Sequence, residues 1–242
     1  MAADIPTASA LDTTVRIAAF CRDLHATVSA DASAVWGKIT RAATTLLPGV
    51  EHASITVLDD RPSVQSRAGT DRCAEAVDTA QSSYLEGPGI DAAREQRPQR
   101  VDDLRTDGRW STFVANTGAT PIRSIMSYPL FQHEHGCGAL NLYAHTPMAF
   151  AGPAGQLAEV FCCGAAVVVE AAHRDRQLHH LLTNRDLVGQ AKGVLMERFG
   201  IDSRAAFSML AQLADRESQP VPAIARKLLR RPNVPVARRA SS

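Results

Sequence analysis

Residues 185–200 read RDLVGQAKGVLMERFG, and this stretch decides how the carboxyl-terminal third is read. Leu187, Val188, Ala191, Leu195, Met196 and Phe199 recur at three- and four-residue steps, which is the apolar stripe of an amphipathic helix. The stripe extends backwards through Leu178, Leu181 and Leu182, and no proline occurs between Gly155 and Phe199. The spacing therefore predicts one helix of about 45 residues, roughly 67 Å at 1.5 Å per residue. Gly200 is a stop, and Asp202-Ser203 caps a second helix over 204–216, with Ala206, Phe207, Leu210 and Leu213 on its stripe. Pro220 and Pro222 separate it from a third helix over 223–230 that buries Ile224, Leu228 and Leu229. Phe199 and Phe207 fit these stripes as core residues. Three such helices close a small core, and residues 233–242, with Pro235 and Arg238-Arg239, are expected to form a disordered tail.

Charge separates this region from the rest. Residues 1–172 carry 13 Lys+Arg and 19 Asp+Glu, a net of −6, whereas residues 173–242 carry 13 and 6, a net of +7. A basic third of this kind calls for an anionic partner, and charge alone leaves nucleic acid and membrane surface both open. The chain of 242 residues is 45 % hydrophobic and 21 % charged, with a mean hydropathy of −0.12. Those are the proportions of a folded chain of one or two domains. The longest nearly uncharged apolar stretch, residues 160–169, falls short of the roughly 20 residues a membrane span needs. The amino terminus lacks the basic and apolar regions of a secretory signal, so a cytoplasmic protein with no membrane partner is expected. Five cysteines, with no C-x-x-C pair, are expected to be free thiols acting as small buried apolar residues.

The amino-terminal two thirds alternate between helical and extended patterns. Helices are expected over 11–28 and 33–47, a strand over 53–58 with a weaker partner over 63–68, and an amphipathic helix over 70–83 broken by Gly87-Pro88-Gly89. A short helix over 90–97, an extended stretch over 100–104 and another short helix after Trp110 follow. Residues 122–131 and 137–145 read as a hairpin around the polar turn 132–136. This order describes an α+β fold, an antiparallel sheet with helices segregated to one side. The expected organisation is a tail and helix over 1–29, an α+β domain over 30–172, the all-α unit over 173–232 and the tail 233–242.

Two family resemblances follow from these blocks. Leu85-Glu86-Gly87-Pro88-Gly89-Ile90, Val101-Asp102-Asp103-Leu104, Asp107-Gly108-Arg109-Trp110, Ser127-Tyr128-Pro129-Leu130 and Gly138-Ala139-Leu140-Asn141-Leu142-Tyr143 together resemble a GAF domain of bacterial signalling proteins. The resemblance implies a sensor of a small molecule or other signal, or a purely structural domain; no cofactor fingerprint is visible and its ligand is unknown. The block 185–200 with Ala205-Ala206-Phe207-Ser208-Met209-Leu210 and Val221-Pro222-Ala223-Ile224-Ala225-Arg226-Lys227-Leu228-Leu229 resembles an ANTAR domain. That resemblance implies a transcription antitermination module in which a coiled-coil helix leads into a three-helix head, and a homodimer binds tandem hairpin loops in nascent RNA.

The residue chemistry points the same way. A reader of RNA loops needs guanidinium and amide groups and a face where backbones come close. Arg185, Gln190, Lys192 and Arg198 supply the first, and Gly189 and Gly193, four apart on one helix face, supply the second. The same glycines also suit a helix–helix packing notch. Arg226, Lys227 and Arg230 are further RNA-binding candidates, and they equally suit a solvated helix end, where cations are favoured by the dipole. Catalysis finds no support: Asp102 and Asp103 project to opposite faces, and no nucleophile–base or phosphate-cradling motif occurs. His133-Glu134-His135 and His179-His180 lack a third ligand at metal spacing, so no metal site is expected. The competing reading is a small-molecule sensor whose basic helical domain binds DNA or a protein partner.

Overall fold

The computed structural model describes residues 8–27, 32–59, 64–118, 120–134 and 136–230. The expected amino-terminal tail, the turn 60–62 and the tail 233–242 lie outside the described residues. The chain divides into two compact units, 1–173 and 174–242.

The first unit opens with α1 (Ala8–Thr27) and α2 (Ala32–Leu46), followed by β1 (His52–Asp59), β2 (Val64–Arg67), α3 (Arg72–Tyr84), α4 (Pro88–Glu95), β3 (Gln99–Val101), α5 (Ser111–Thr117), β4 (Ser124–His133) and β5 (Gly136–Ala144). The strands form one antiparallel sheet in the order β2-β1-β5-β4-β3. The β4–β5 ladder runs to the pair His133↔Gly136, so the strands extend into what the polar residues had marked as a five-residue turn.

Helices cover both faces of this sheet, contrary to the one-sided arrangement expected. On one face Ile55, Val57, Leu140 and Leu142 meet Ile17 and Leu24 of α1, Ile39 and Ala43 of α2 and Phe161 and Ala165 of the next helix. On the other, Val101, Ile125 and Tyr143 meet Ala74 and Val77 of α3 and Phe113 of α5, while Leu58 and Ala139 meet Ile90 of α4. Every residue of β1 before Asp59 is buried, which is what two covered faces require. Ser54 and Thr56, although polar, are interior.

The helix α6 (Gly152–Phe199) is continuous over 48 residues, about 72 Å at the standard rise. Its early residues Ala158, Phe161, Cys162, Ala165, Val168 and Val169 belong to the first core. By length and composition it is the one described helix able to cross a membrane, with a third of its most apolar window buried in the protein. In the second unit, Ala191 and Leu195 of α6 meet Ala206, Leu210 and Ala214 of α7 (Ser203–Glu217) and Ile224 and Ala225 of α8 (Val221–Arg230). Gly200 adopts φ +61° to end α6, and the Asp202 carboxylate accepts from the Ala205 amide at 2.7 Å to start α7.

Two separate cores give two separable stabilities. Phe161→Ala removes a fully buried ring stacked on Phe20 with centroids 5.6 Å apart and is expected to cost about 3–5 kcal/mol in the first unit. Leu210→Ala is expected to cost about 2–5 kcal/mol in the second. Native-state hydrogen exchange checks both: Leu210→Ala should lower amide protection in α7 and α8 and leave that of β1, β4 and β5 unchanged.

Candidate functional site

The second unit presents a groove of about 680 Å³ between the middle turns of its share of α6, the side of α7 and the start of α8. Asn184, Arg185, Asp186, Val188, Gly189, Gln190 and Lys192 line it from α6, Phe207 from α7, and Val221 and Pro222 from α8. Four of the sequence candidates thus converge on one concavity. Helical spacing explains much of the convergence: Arg185, Gly189 and Lys192 succeed one another on one face at four- and three-residue steps. The opposite face, with Ala191 and Leu195, is the core.

The other candidates lie elsewhere. Arg198 and Lys227 line a smaller cleft of about 190 Å³ with Val194, Leu213, Ile224 and Leu228, where Lys227 donates to Glu217 at 2.6 Å. Arg226 and Arg230 are exposed on α8 and line neither cavity.

Two corrections concern the groove. Phe207 and Phe199, assigned to the core by their periodicity, are 46 % and 55 % exposed; Phe207 leaves the α7 stripe to become the aromatic wall of the groove. A Cβ added at Gly189 or Gly193 would meet nothing within 4 Å. Among the described residues, no helix uses these glycines as a packing notch. In the interior of a helix each costs about 1 kcal/mol relative to alanine.

In the first unit the corresponding concentration of chemistry is buried. Asp78 of α3 is at the centre: Ser54 and Tyr143 hydroxyls donate to its Oδ1 at 2.8 and 2.6 Å, and Ser66 donates to Oδ2. Asn141 Nδ2 donates to Thr56 at 2.8 Å and Ser54 at 3.2 Å, and Ser127 donates to Asn141 Oδ1 at 2.8 Å. Gln81 accepts from the Gly89 amide at 2.8 Å, while its Nε2 is buried beside this layer without a well-formed hydrogen bond. The glycines around Pro88 serve this contact. A Cβ at Gly89 would lie 2.6 Å from Asn141 Oδ1 and 2.8 Å from Thr56 Oγ1. Burial drives the Asp78 carboxyl pKa above the ordinary range against these donors, and burial likewise raises Tyr143.

Asp102 and Asp103 take different partners: Asp102 pairs with Arg100 at 2.9 Å, and Asp103 accepts from Arg123 Nε at 2.9 Å. Hydrogen bonding to Arg123 holds Asp103 down at about 2. His133 is stacked on His173 at 3.6 Å and faces Glu170 at 3.7 Å. All five cysteines are free thiols, but contrary to the expected burial only Cys162 is buried; Cys21, Cys73 and Cys137 are partly exposed and Cys163 is exposed.

A GAF domain model matches residues 29–170, more than half of the chain. The chain belongs to the GAF family. An ANTAR domain model matches residues 176–229, so this is a GAF and ANTAR domain-containing protein. The ANTAR match marks the second unit as belonging to an RNA-binding antiterminator family, and the GAF match suggests a sensor. A comparison with curated proteins finds no match. Among solved structures, the N-acylhomoserine lactone-dependent LuxR family transcription factor CepR2 from Burkholderia cenocepacia is 19 % identical with a TM-score of 0.53, covering 68 % of this chain and 98 % of that one, a likeness of fold. The GAF domain from an Acinetobacter phosphoenolpyruvate-protein phosphotransferase is 16 % identical, TM-score 0.48, covering 70 % and 97 %. Free methionine-R-sulfoxide reductase from Neisseria meningitidis is 13 % identical, TM-score 0.47, covering 72 % and 98 %. GAF and ANTAR domains are regulatory and not catalytic, although some solved neighbours of the GAF domain are enzymes.

The buried Asp78 gives the GAF domain a pH signature. Its folded pKa lies above the unfolded value of about 3.9, so its favourable contribution is complete below that value and is lost as pH rises through the folded pKa. Asp78→Asn keeps an acceptor for Ser54 and Tyr143 and offers Ser66 a donor. The difference in unfolding free energy between variant and wild type is expected to shift in favour of the variant as pH increases above about 4, measured by urea denaturation at a series of pH values.

Proposed function

We propose that this protein is a homodimeric, cytoplasmic transcription antiterminator whose ANTAR domain, residues 173–232, binds paired hairpin loops in nascent RNA, under the control of a signal received by the GAF domain, residues 30–172. The observation that carries the reading is the groove: guanidinium, ammonium and amide groups from Arg185, Lys192 and Gln190 surround an exposed ring at Phe207 and a helix face kept bare by glycine. Loop bases that are unstacked offer a π face to an aromatic side chain and hydrogen-bonding edges to amides, and their phosphates pair with cations. Arg198, Arg226, Lys227 and Arg230 lie outside the groove, where they serve to hold the backbone of RNA leaving the loop. The net charge of +7 over residues 173–242 favours that partner.

The dimer is supported by α6 itself. Leu178, Leu181 and Leu182 are 58–66 % exposed on the ANTAR side of the helix, and Val160 and Val167 are also exposed on the GAF side. Val160 and Val167 are seven residues apart, one heptad, and Leu178 with Leu181 and Leu182 are at the three- and four-residue steps of a single helix face, the spacings by which one helix pairs with a second copy of itself.

Two measurements test these statements. In filter binding to an RNA carrying two hairpins, Arg185→Ala and Lys192→Ala are expected to cost about 1–3 kcal/mol each and to flatten the salt dependence by about one unit for each phosphate that is no longer neutralised. Gly189→Ala is expected to raise stability by up to about 1 kcal/mol while weakening binding at least tenfold. Wild-type affinity for scrambled loops, or for duplex DNA in competition, would remove the RNA-loop reading. In analytical ultracentrifugation the Leu178→Glu/Leu181→Glu double variant is expected to sediment as a monomer with unchanged helix content; a wild-type monomer would remove the dimer.

A further inference from the structure

His52, at the start of β1, lies beside the amino terminus of α3 because the intervening chain is tied back to the strand. The Thr70 amide donates to the Ala53 carbonyl at 2.9 Å, and the Thr70 hydroxyl accepts from the Ala53 amide at 3.0 Å. This fixes Asp71, the N-cap of α3, over the imidazole. Asp71 Oδ1 accepts from the amides of Cys73 and Ala74 at 2.9 and 3.1 Å, and Oδ2 meets His52 Nδ1. His52, Asp71 and Cys73 each offer a ligand atom within 4.8 Å of the others. On the far side of the ring, His52 Nε2 meets His145 Nε2, just beyond β5, at 2.7 Å.

We propose that His52, Asp71 and Cys73 form a binding site for one zinc ion, with His145 as the hydrogen-bonding partner that sets the His52 tautomer. One nitrogen, one carboxylate oxygen and one sulfur are a donor set suited to a borderline-soft divalent cation, and three protein ligands leave a fourth position for water. A ligating imidazole bonds the metal through one nitrogen and donates its other N–H to a fixed acceptor. His52 meets both conditions, with Nδ1 toward Asp71 and Nε2 toward His145. On binding, the cation takes the place of the proton between Nδ1 and Oδ2. That proton is relocated to Nε2, His145 turns from donor to acceptor at its Nε2 by carrying its proton on Nδ1, and the Cys73 thiol gives its proton to solvent. The His52 side chain is 11 % exposed and that of Asp71 42 %, so the ring forms the buried wall of the site and the carboxylate its solvent side. The site joins the two central strands to α3, the helix that carries Asp78 and Gln81 into the polar layer. Metal occupancy would thereby lock the position of that helix; control of RNA binding by it rests on the function proposed above, whereas the site itself does not.

The test uses the full-length, reduced, metal-stripped protein titrated with cobalt(II) as a spectroscopic stand-in for zinc. One equivalent is expected to bind, with visible bands of tetrahedral cobalt and a thiolate-to-cobalt charge-transfer band, all abolished by excess zinc. Cys73→Ser should remove the charge-transfer band, and His52→Gln and Asp71→Asn should each weaken binding at least tenfold. Asparagine still caps α3, and circular dichroism of every variant checks the fold. His145→Gln should weaken binding about 10–100-fold without changing the charge-transfer band. The triple variant Cys21→Ser/Cys137→Ser/Cys163→Ser should bind as wild type. A charge-transfer band that survives Cys73→Ser, loss of the band in the triple variant, or absence of any cobalt spectrum overturns the proposal. None of these readouts involves RNA.

Discussion

One helix is asked to serve two cores, and much of the rest follows from that constraint. Residues of α6 up to Ala172 complete the GAF core, and residues from Leu187 onward complete the ANTAR core. Between them the backbone continues as helix, but neither core supplies apolar partners there. Leu178, Leu181 and Leu182 are left in solvent as a cluster. Single exposed leucines are ordinary on a protein surface, whereas three on adjacent turns of one helix leave apolar area that association can remove from water. In the proposed dimer a second copy of the same helix would bury this cluster with no new sequence.

The GAF sheet shows a different use of burial. Covering both faces places Ser54, Thr56, Ser127, Asn141 and Tyr143 in the interior, and unsatisfied they would be costly. They are hydrogen-bonded to one another and to Asp78, so the space beneath α3 and α4 is occupied by side chains of the chain itself. A charged carboxylate in that position is disfavoured by burial, which couples the packing of α3 to the protonation of Asp78. The layer is therefore polar, closed and responsive at its centre. The proposed zinc site stands at the other end of the same helix.

Most of the fold was legible in the sequence because periodicity reports burial. The stripes of α6, α7 and α8 and the alternation in β1 place those elements correctly. Periodicity failed where a polar residue is interior or an aromatic residue is exposed. Ser54 and Thr56 are polar yet interior, and Phe207, correctly spaced for the core, stands in the groove instead. The groove residues of α6 were legible because they lie within 16 residues of one helix, where spacing fixes the face. Arg198 and Lys227 were grouped with them by charge, yet the helix turns Arg198 toward α8. His52, Asp71, Cys73 and His145 were invisible as a set: they come from three elements, and the close pair His52–His145 is 93 positions apart. Only the antiparallel return of β5 along β1 and the turn into α3 bring them together. A search for ligand spacings along the chain has no means of finding them.

The glycines of α6 separate what folding needs from what it does not. Gly89 is explained by the fold, since a methyl group there would collide with Asn141 and Thr56. Gly189 and Gly193 are not: each weakens the helix, and each has open space where a side chain would go. Packing against another helix of the chain would have filled that space. The function proposed above gives that space an occupant, a partner that approaches the helix backbone more closely than a Cβ allows. The residues flanking that face, Arg185 and Lys192, are cationic, and the wall opposite carries an exposed ring. A flat, anionic and unstacked partner is the one that uses all three properties at once, which is why the glycines, more than the charge, favour an RNA loop over a rod-like duplex or an apolar peptide.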